Sequence, residues 1–361
     1  MRIASAFLAI AFCCAAFTGH AAAENVFAVK GIHVDATAAS ATEAQNKAIA
    51  NGRRPAWAQL YRRLTRQQDW GRQPQLDDAT LTRILRGYSV ANEKRSTTRY
   101  VADITYVFNP DAVAKVLQAA NIPFTQTAGK AVLVIPLSPT YSPTSPWTAA
   151  WRDPSITGLV PVALPSGDPI DRSELGSLGI GTASWADVQP IASRARATEA
   201  DVVLATPSNG KITVQMRRLA PNGATPGGLQ AMATLTVPVP AGQAPEAGWV
   251  AAAQAANGII QNAWKSKFAI NFNQQASVVA GVTFNSLADW AEIQAKLATI
   301  PTITGVTVIA MDTGAARLNI AYVGSAEQLR EALNEVNLAL VQNGGAWSLT
   351  RGTQAANESA Q

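Results

Sequence analysis

Two aspartates in a turn-like segment are the side chains best placed in the sequence to form a carboxylate active site. Asp168 and Asp171 lie in the segment Ser166-Gly-Asp-Pro-Ile-Asp171, and Asp153 precedes them. Paired carboxylates can hydrolyse a glycosidic bond, one acting as acid and the other as base or nucleophile. The same residues also suit a turn at Gly167-Asp-Pro and a helix cap at Asp171. The pattern favours this structural role, and a carboxylate-dependent hydrolase is the alternative.

Other reactive side chains are scarce. The chain has two histidines, His20 and His33, and two cysteines, Cys13 and Cys14. His33 falls within a predicted strand, and the sequence contains no G-x-S-x-G motif. It also contains no Walker motif, and its glycines lack the spacing of a dinucleotide fingerprint. We therefore expect no cofactor and no metal bound through histidine and cysteine.

Arginine is concentrated in one stretch of the first half of the chain. Residues 53–99 contain eleven lysines and arginines against four aspartates and glutamates. Guanidinium groups bind phosphates and carboxylates through paired hydrogen bonds, so this run could contact an anionic partner. The alternative, which we favour, is a solvated helix face that aids solubility. The candidate binding residues are Arg53, Arg54, Arg62, Arg63, Arg66, Arg83 and Arg86.

The elements that would position these side chains form three predicted modules of an α+β protein. The first spans residues 24–126 in the order β-α-α-β-β-α. An alternating strand near Phe27 is followed by the capping box Ser40-Ala-Thr-Glu43, which begins an Ala-rich helix ending at Leu64. Pro55 is expected to kink or split this helix, because proline removes a backbone donor. The other elements are a helix over 76–85, antiparallel strands over 87–95 and 98–108, and a helix after Asn109.

The second module, residues 130–268, is predicted to be an α/β layer sandwich. Its first strand, Ala131 to Leu137, is continuously apolar, as is typical of a strand buried on both faces. Strands alternate with helices along the module, and it ends in a hairpin and a long Ala-rich helix. The further strands are expected at 159–164, 201–206, 212–219 and 229–237, and the helices at 184–197 and 249–264.

The third module, residues 271–352, is predicted to be ferredoxin-like, with the order β-α-β-β-α-β. A capping box at Ser325-Ala-Glu-Gln328 begins its second helix, whose apolar spacing extends to Leu340. Gly344-Gly345 then leads into a final strand at Trp347 to Leu349. Residues 353–361 are expected to be a disordered tail.

The first 23 residues have the pattern of a secretory signal peptide. A positive start at Arg2 precedes an apolar run over 4–17, and Ala21-Ala22-Ala23 offers a cleavage site. The run is too short to span a bilayer, and bulky Phe12 disfavours lipidation at the cysteines. Cleavage near Ala23 would give a periplasmic or extracellular protein without cysteine. No transmembrane segment is expected in the processed chain.

The strand and Ala-rich helix, the arginine run and the segment YVADITYVFNPDAVAKVLQAANIPF, residues 100–124, together carry a resemblance. They resemble a proteobacterial family of secreted proteins that is known only as a domain of unknown function. This resemblance implies an envelope protein and supplies no catalytic residue. The middle module is distantly similar to small α/β domains of envelope assembly proteins, such as the N-terminal domain of the Tol-system propeller protein.

Export, modular architecture and scarce reactive side chains predict a non-enzymatic envelope protein that acts in binding, assembly or scaffolding. Its partner would be another envelope protein or an anionic envelope component. Nucleic acid is not expected, because export removes the protein from it and no aromatic residues are interleaved with the charges. The alternative is a hydrolase of cell-wall polymer or phosphoester that uses Asp168 and Asp171.

Overall fold

The chain folds into three β-sheets with helices packed against them, as seen in a computed structural model. The structure describes residues 26–221, 233–239 and 245–351. Its sheets have three, five and five strands, which confirms the predicted α+β class with several modules. The predicted signal peptide and C-terminal tail lie outside the described residues.

The N-terminal sheet is antiparallel, with the strand order β1-β3-β2. Its strands are β1 (Ala28–Thr37), β2 (Leu85–Arg95) and β3 (Arg99–Phe108). Every second residue of β3 is buried, because one face of the sheet packs against helix α1 (Ala41–Leu64). The remaining helices are α2 (Asp78–Ile84) and α3 (Pro110–Ala119), with a short 3-10 helix at Gln67–Arg72.

Helix α1 is continuous through Pro55, so the predicted split is wrong. Pro55 is exposed, as is Asn51, whose carbonyl loses its helical partner. Water can satisfy that carbonyl, which makes proline tolerable on the outer face of the helix. The Ser40 side chain accepts a hydrogen bond from Glu43 N at 3.2 Å, so the predicted N-terminal cap is present.

The middle sheet has the order β5-β4-β6-β7-β8, with β5, β4 and β6 parallel and the rest antiparallel. Strand β4 (Val132–Leu137) is buried along its whole length, as predicted. One face is covered by α4 and α7 and the other by α5 and α6, which gives the predicted α/β layer sandwich. The bounds are β5 Val162–Ala163, β6 Glu199–Ser208, β7 Lys211–Leu219, β8 Ala233–Pro238, α4 Pro146–Ala150, α5 Pro169–Leu175, α6 Trp185–Arg194 and α7 Pro245–Phe268. Residues 229–232 of the predicted last strand lie outside the described residues.

The C-terminal sheet contains the predicted β-α-β-β-α-β order and one strand more. Its order is β10-β11-β9-β13-β12, and β13 lies between β9 and β12, parallel to β9. The elements are β9 Gln275–Thr283, α8 Leu287–Ala298, β10 Ile303–Met311, β11 Ala315–Val323, α9 Ala326–Glu335, β12 Leu338–Asn343 and β13 Ala346–Arg351.

Helix α9 ends at Glu335, so its predicted extension to Leu340 is wrong. Asn337 adopts a left-handed conformation with φ 58°, which stops the helix. Leu338 and Leu340 are then buried as alternate residues of β12. Gly344 and Gly345, both with positive φ, form the turn that returns the chain as β13.

Each sheet lies within one of the three ranges drawn from the sequence. Within the part of the chain that the structure describes, no helix combines the length and apolar character needed to cross a bilayer.

Candidate anion-binding cleft

The two predicted catalytic carboxylates hold a loop against a helix. Asp168 is the N-cap of α5 and accepts a hydrogen bond from Asp171 N at 2.8 Å. Asp171 is fully buried, accepts hydrogen bonds from Ser166 Oγ at 2.7 Å and Gly167 N at 3.0 Å, and forms an ion pair with Arg194. The cap is therefore Asp168, and the predicted cap at Asp171 is wrong.

Neither Asp168 nor Asp153 has the raised pKa that is typical of a general acid. Hydrogen bonds from Asp171 N and the Ser166 hydroxyl hold the pKa of Asp168 below its usual value. The carboxylate of Asp153 accepts hydrogen bonds from Ser155, which likewise lower its pKa. A general acid at neutral pH needs a raised pKa. The loop architecture accounts for these aspartates without a substrate.

His33 is an exposed strand residue, consistent with the ordinary role favoured by the sequence. Its Nδ1 lies 3.0 Å from Asp103 Oδ1 on the neighbouring strand. Among the described residues, no group of three histidine, cysteine, aspartate or glutamate side chains is arranged to hold a metal ion.

Most of the predicted arginines bind groups of their own chain. Four of them donate to side chains of the N-terminal module at 2.8 or 2.9 Å: Arg53 to Thr82, Arg54 to Asp78, Arg66 to Asp69, and Arg83 to Thr80. Arg86 lies exposed on β2. These contacts spread the guanidinium groups over several elements, and each contact engages a guanidinium group with a residue of its own module.

Arg62 and Arg63 lie together in a cleft of about 1060 Å³ between α1 and α7. Lys30, Arg62, Arg63 and Trp70 line it from the N-terminal module. The middle module contributes Lys265 from α7 and one acidic residue, Asp153. Four cations therefore line the cleft against one carboxylate, and that carboxylate accepts hydrogen bonds from Ser155.

Lys265 is the most unusual residue of this cleft. Its side chain is only 3% exposed, and burial lowers its pKa to about 8. The ammonium donates to the Arg62 carbonyl at 2.8 Å and lies 5.3 Å from the centre of the Trp70 ring. The Arg62 guanidinium lies 5.5 Å from the same ring. Among the described residues, no carboxylate forms an ion pair with Lys265, so no opposite charge neutralises its ammonium group.

A polar stripe on α7 builds the wall that carries Lys265. Gln261 lies one turn before it and Asn257 two turns before it, and both are buried. Asn257 donates to Thr157 O at 3.0 Å, and Gln261 exchanges two hydrogen bonds with the backbone of Val160. They hold the segment 153–160 against α7, so that segment forms the rim of the cleft. The spacing 254, 257, 261 and 265 is a helical stripe of polar residues in an Ala-rich helix, and this signal could have revealed the wall from sequence.

The position of Lys265 also serves the N-terminal module. The last carbonyls of a helix lack intrahelical partners and carry partial negative charge. Lys265 satisfies one of them, that of Arg62 in the last turn of α1. An ammonium has three N–H donors, and the Arg62 carbonyl takes one. The geometry thus leaves Lys265 chemically able to bind an anion that enters the cleft.

No protein-family model matches this chain, and no curated protein matches it either. The resemblance to a family of secreted proteins therefore stays a prediction. Any functional conclusion therefore rests on the chemistry and geometry of the residues described above.

Proposed function

We propose that this protein is a non-enzymatic exported envelope protein whose cleft binds an anionic component of the cell envelope. The observation that carries the proposal is the buried side chain of Lys265, which lines the cleft and has no carboxylate partner among the residues that the structure describes. Export is inferred from the signal-peptide pattern of residues 1–23.

An unpaired buried charge is costly, commonly several kcal/mol before relaxation. A ligand with a phosphate or carboxylate group would supply the opposite charge that no described residue of the chain places beside Lys265. Lys30, Arg62 and Arg63 add positive charge around the same space and would attract such a ligand from a distance. The cleft volume matches that of ordinary small-ligand sites, so a headgroup or a short polymer segment fits its size.

The two walls of the cleft belong to different modules, which links binding to assembly. A ligand that contacts Arg62 on α1 and Lys265 on α7 would strengthen the contact between them. This coupling supports a role in which the envelope component fixes the protein in its working arrangement.

Calorimetry on the processed full chain tests this function. One arm uses vesicles of phosphatidylglycerol with phosphatidylcholine vesicles as the neutral comparison, and the other uses soluble peptidoglycan fragments, which carry carboxylates. We expect saturable binding in one arm, weakening as salt rises. Lys265→Gln and Arg62→Gln should each weaken binding about tenfold, since each removes a charge-assisted contact.

Lys211→Gln is the matched control, because Lys211 is exposed and does not line the cleft. Its affinity should equal that of the wild type. Vesicle binding would identify a lipid headgroup as the source of the anion, and fragment binding would identify the cell wall. Absence of binding in both arms, or equal affinity of the Lys265→Gln protein, would contradict the proposal.

A further inference from the structure

A second surface of the N-terminal module is open at the edge of its sheet. Strand β2 pairs with β3 on one side, and no described strand pairs with its other side. All of its eleven residues except Leu85 are exposed. An unpaired strand edge presents a row of backbone donors and acceptors, which makes it a template for another strand.

The central part of this edge is regular and uncharged. Residues 87–91, Gly-Tyr-Ser-Val-Ala, pair with β3 without interruption between two irregularities in the register. Tyr88 and Val90 lie opposite the buried residues Tyr106 and Ile104, yet are themselves 51% and 36% exposed. Tyr88 and Val90 are thus on the same face of the sheet as α1, which covers the centre of that face. Their exposed side chains form an apolar shelf beside the helix.

Positive charge surrounds the shelf. Arg86 precedes it and Lys94 and Arg95 follow it, with Glu93 the one acidic residue of the strand. The positive charge of Arg53 on α1 is felt by Tyr106, the residue that pairs with Tyr88. Among the described residues, the buried Nε of Arg53 has no hydrogen-bond partner. This half of the arginine run is separate from the cleft between α1 and α7.

We propose that the free edge of β2 binds an extended acidic segment of a partner protein as an added strand. The backbone of residues 87–91 provides the hydrogen bonds, Tyr88 and Val90 contact alternate apolar side chains, and the flanking cations select acidic residues. Strand addition of this kind combines main-chain affinity with side-chain specificity. A second copy of β2 is a poor occupant, because its own cations would be brought close to those of the first.

Fluorescence anisotropy with the processed full chain tests the inference. The probe is a labelled peptide of about eight residues that alternates glutamate with valine, a length typical of a strand. We expect saturable binding that weakens with salt. Arg86→Glu should weaken it about tenfold by reversing a charge, and Tyr88→Ser about threefold by removing a cross-strand contact.

Two comparisons separate strand addition from simple charge attraction. The same peptide N-methylated at every amide keeps its side-chain charges but has no backbone N–H to donate from either edge, so its binding should be lost. Lys211→Glu, an exposed change in the middle module, and Lys265→Gln in the cleft should leave the affinity for the unmodified peptide unchanged. Equal binding of the methylated peptide, wild-type affinity of the Arg86→Glu and Tyr88→Ser proteins, or absence of peptide binding would overturn the inference.

Discussion

At the scale of single residues, the binding role proposed for Lys265 would oppose stability. Its side chain is largely buried in the wall of the cleft, and the Arg62 carbonyl and the Trp70 ring compensate its charge only in part. A site that must bind an anion has to keep such a cation available. Improving stability at this position should therefore reduce binding, a conflict typical of functional sites.

The pH dependence of stability should report this conflict. Burial lowers the pKa of Lys265 from 10.5 to about 8, so below pH 8 the cost of the buried charge is fully present. Between the two values the folded protein has released the proton while the unfolded chain retains it, and the free energy of unfolding rises with pH. The rise attributable to Lys265 is about 3 kcal/mol over that window. Urea unfolding of the wild type and Lys265→Met across this range measures it as a difference, and parallel curves would contradict it.

Replacing Lys265 by methionine should raise stability at neutral pH. Methionine fills a similar volume without a charge, although the Arg62 carbonyl loses its donor. We expect a net gain of about 1 to 2 kcal/mol in the free energy of unfolding, with the lost hydrogen bond offsetting part of the relief. The same protein should bind the anion proposed for the cleft at least tenfold more weakly. A variant that is both less stable and unchanged in binding would show that Lys265 is only a helix cap.

Asp168 and Asp171 allow a test of their structural roles. Asp171→Asn removes a buried charge paired with Arg194 and should cost about 2 kcal/mol. Asp168→Asn keeps a good N-cap and should cost less than about 0.5 kcal/mol. Chemical unfolding gives both values. Two near-neutral substitutions would leave these carboxylates without the structural role seen here and would favour the hydrolase.

At the scale of elements, helix α1 depends on a close approach to its sheet. Gly52 faces β3, and a methyl group there would overlap the Tyr106 hydroxyl and lie 2.8 Å from Val34 Cγ1. That hydroxyl donates to the Ile49 carbonyl at 2.6 Å and cannot move without losing this bond. Small residues at this contact are therefore required by packing.

Gly52→Ala should destabilise the protein by about 2 kcal/mol, because overpacking outweighs the better helix propensity of alanine. Gly258 on α7 provides the matched control, since a methyl group there meets no atom within 4 Å. Gly258→Ala should be neutral or stabilising by up to about 1 kcal/mol. Thermal unfolding of the two variants measures the difference, and similar midpoints would show that α1 can shift away from the sheet.

Elements with strong local periodicity could be predicted from the sequence. The alternation along β3, the apolar run of β4 and the capping residues Ser40 and Ser325 all correspond to observed features. The end of α9 could not, because Val336 and Leu340 keep helical spacing while Asn337 turns the chain. The cleft could not either, since Arg62 and Lys265 meet only through the packing of α1 against α7.

At the scale of the whole molecule, helix α7 and the segment after it touch all three modules. Trp264 Nε1 donates to Thr127 O, and Asn262 accepts a hydrogen bond from Gln67 N. Beyond the helix, Phe272 stacks on Phe124 with ring centres 4.8 Å apart, and the Ala269 carbonyl accepts a hydrogen bond from Gln328 of the C-terminal module. The connection between the middle and C-terminal sheets is thus built into the N-terminal core.

Phe124 is the residue whose removal should test this connection. It is fully buried, exchanges backbone hydrogen bonds with Ile270 and packs on Phe272. Phe124→Ala should cost about 3 to 5 kcal/mol through the cavity it leaves. Amide exchange should quicken both at Thr125, whose N–H donates to Leu64 O at the end of α1, and over residues 269–272.

Phe284→Ala deletes the same atoms from the core of the C-terminal module and serves as the comparison. Exchange there should quicken within β9 to β13 and stay at the wild-type rate at Thr125, because Phe284 belongs to the core cluster of the C-terminal module. If Phe124 joins the modules, the Phe124→Ala and Phe284→Ala proteins must differ in where amide exchange quickens. Identical exchange patterns would mean that the modules unfold as a single unit and that the contact of Phe124 with Phe272 has no special part in joining them.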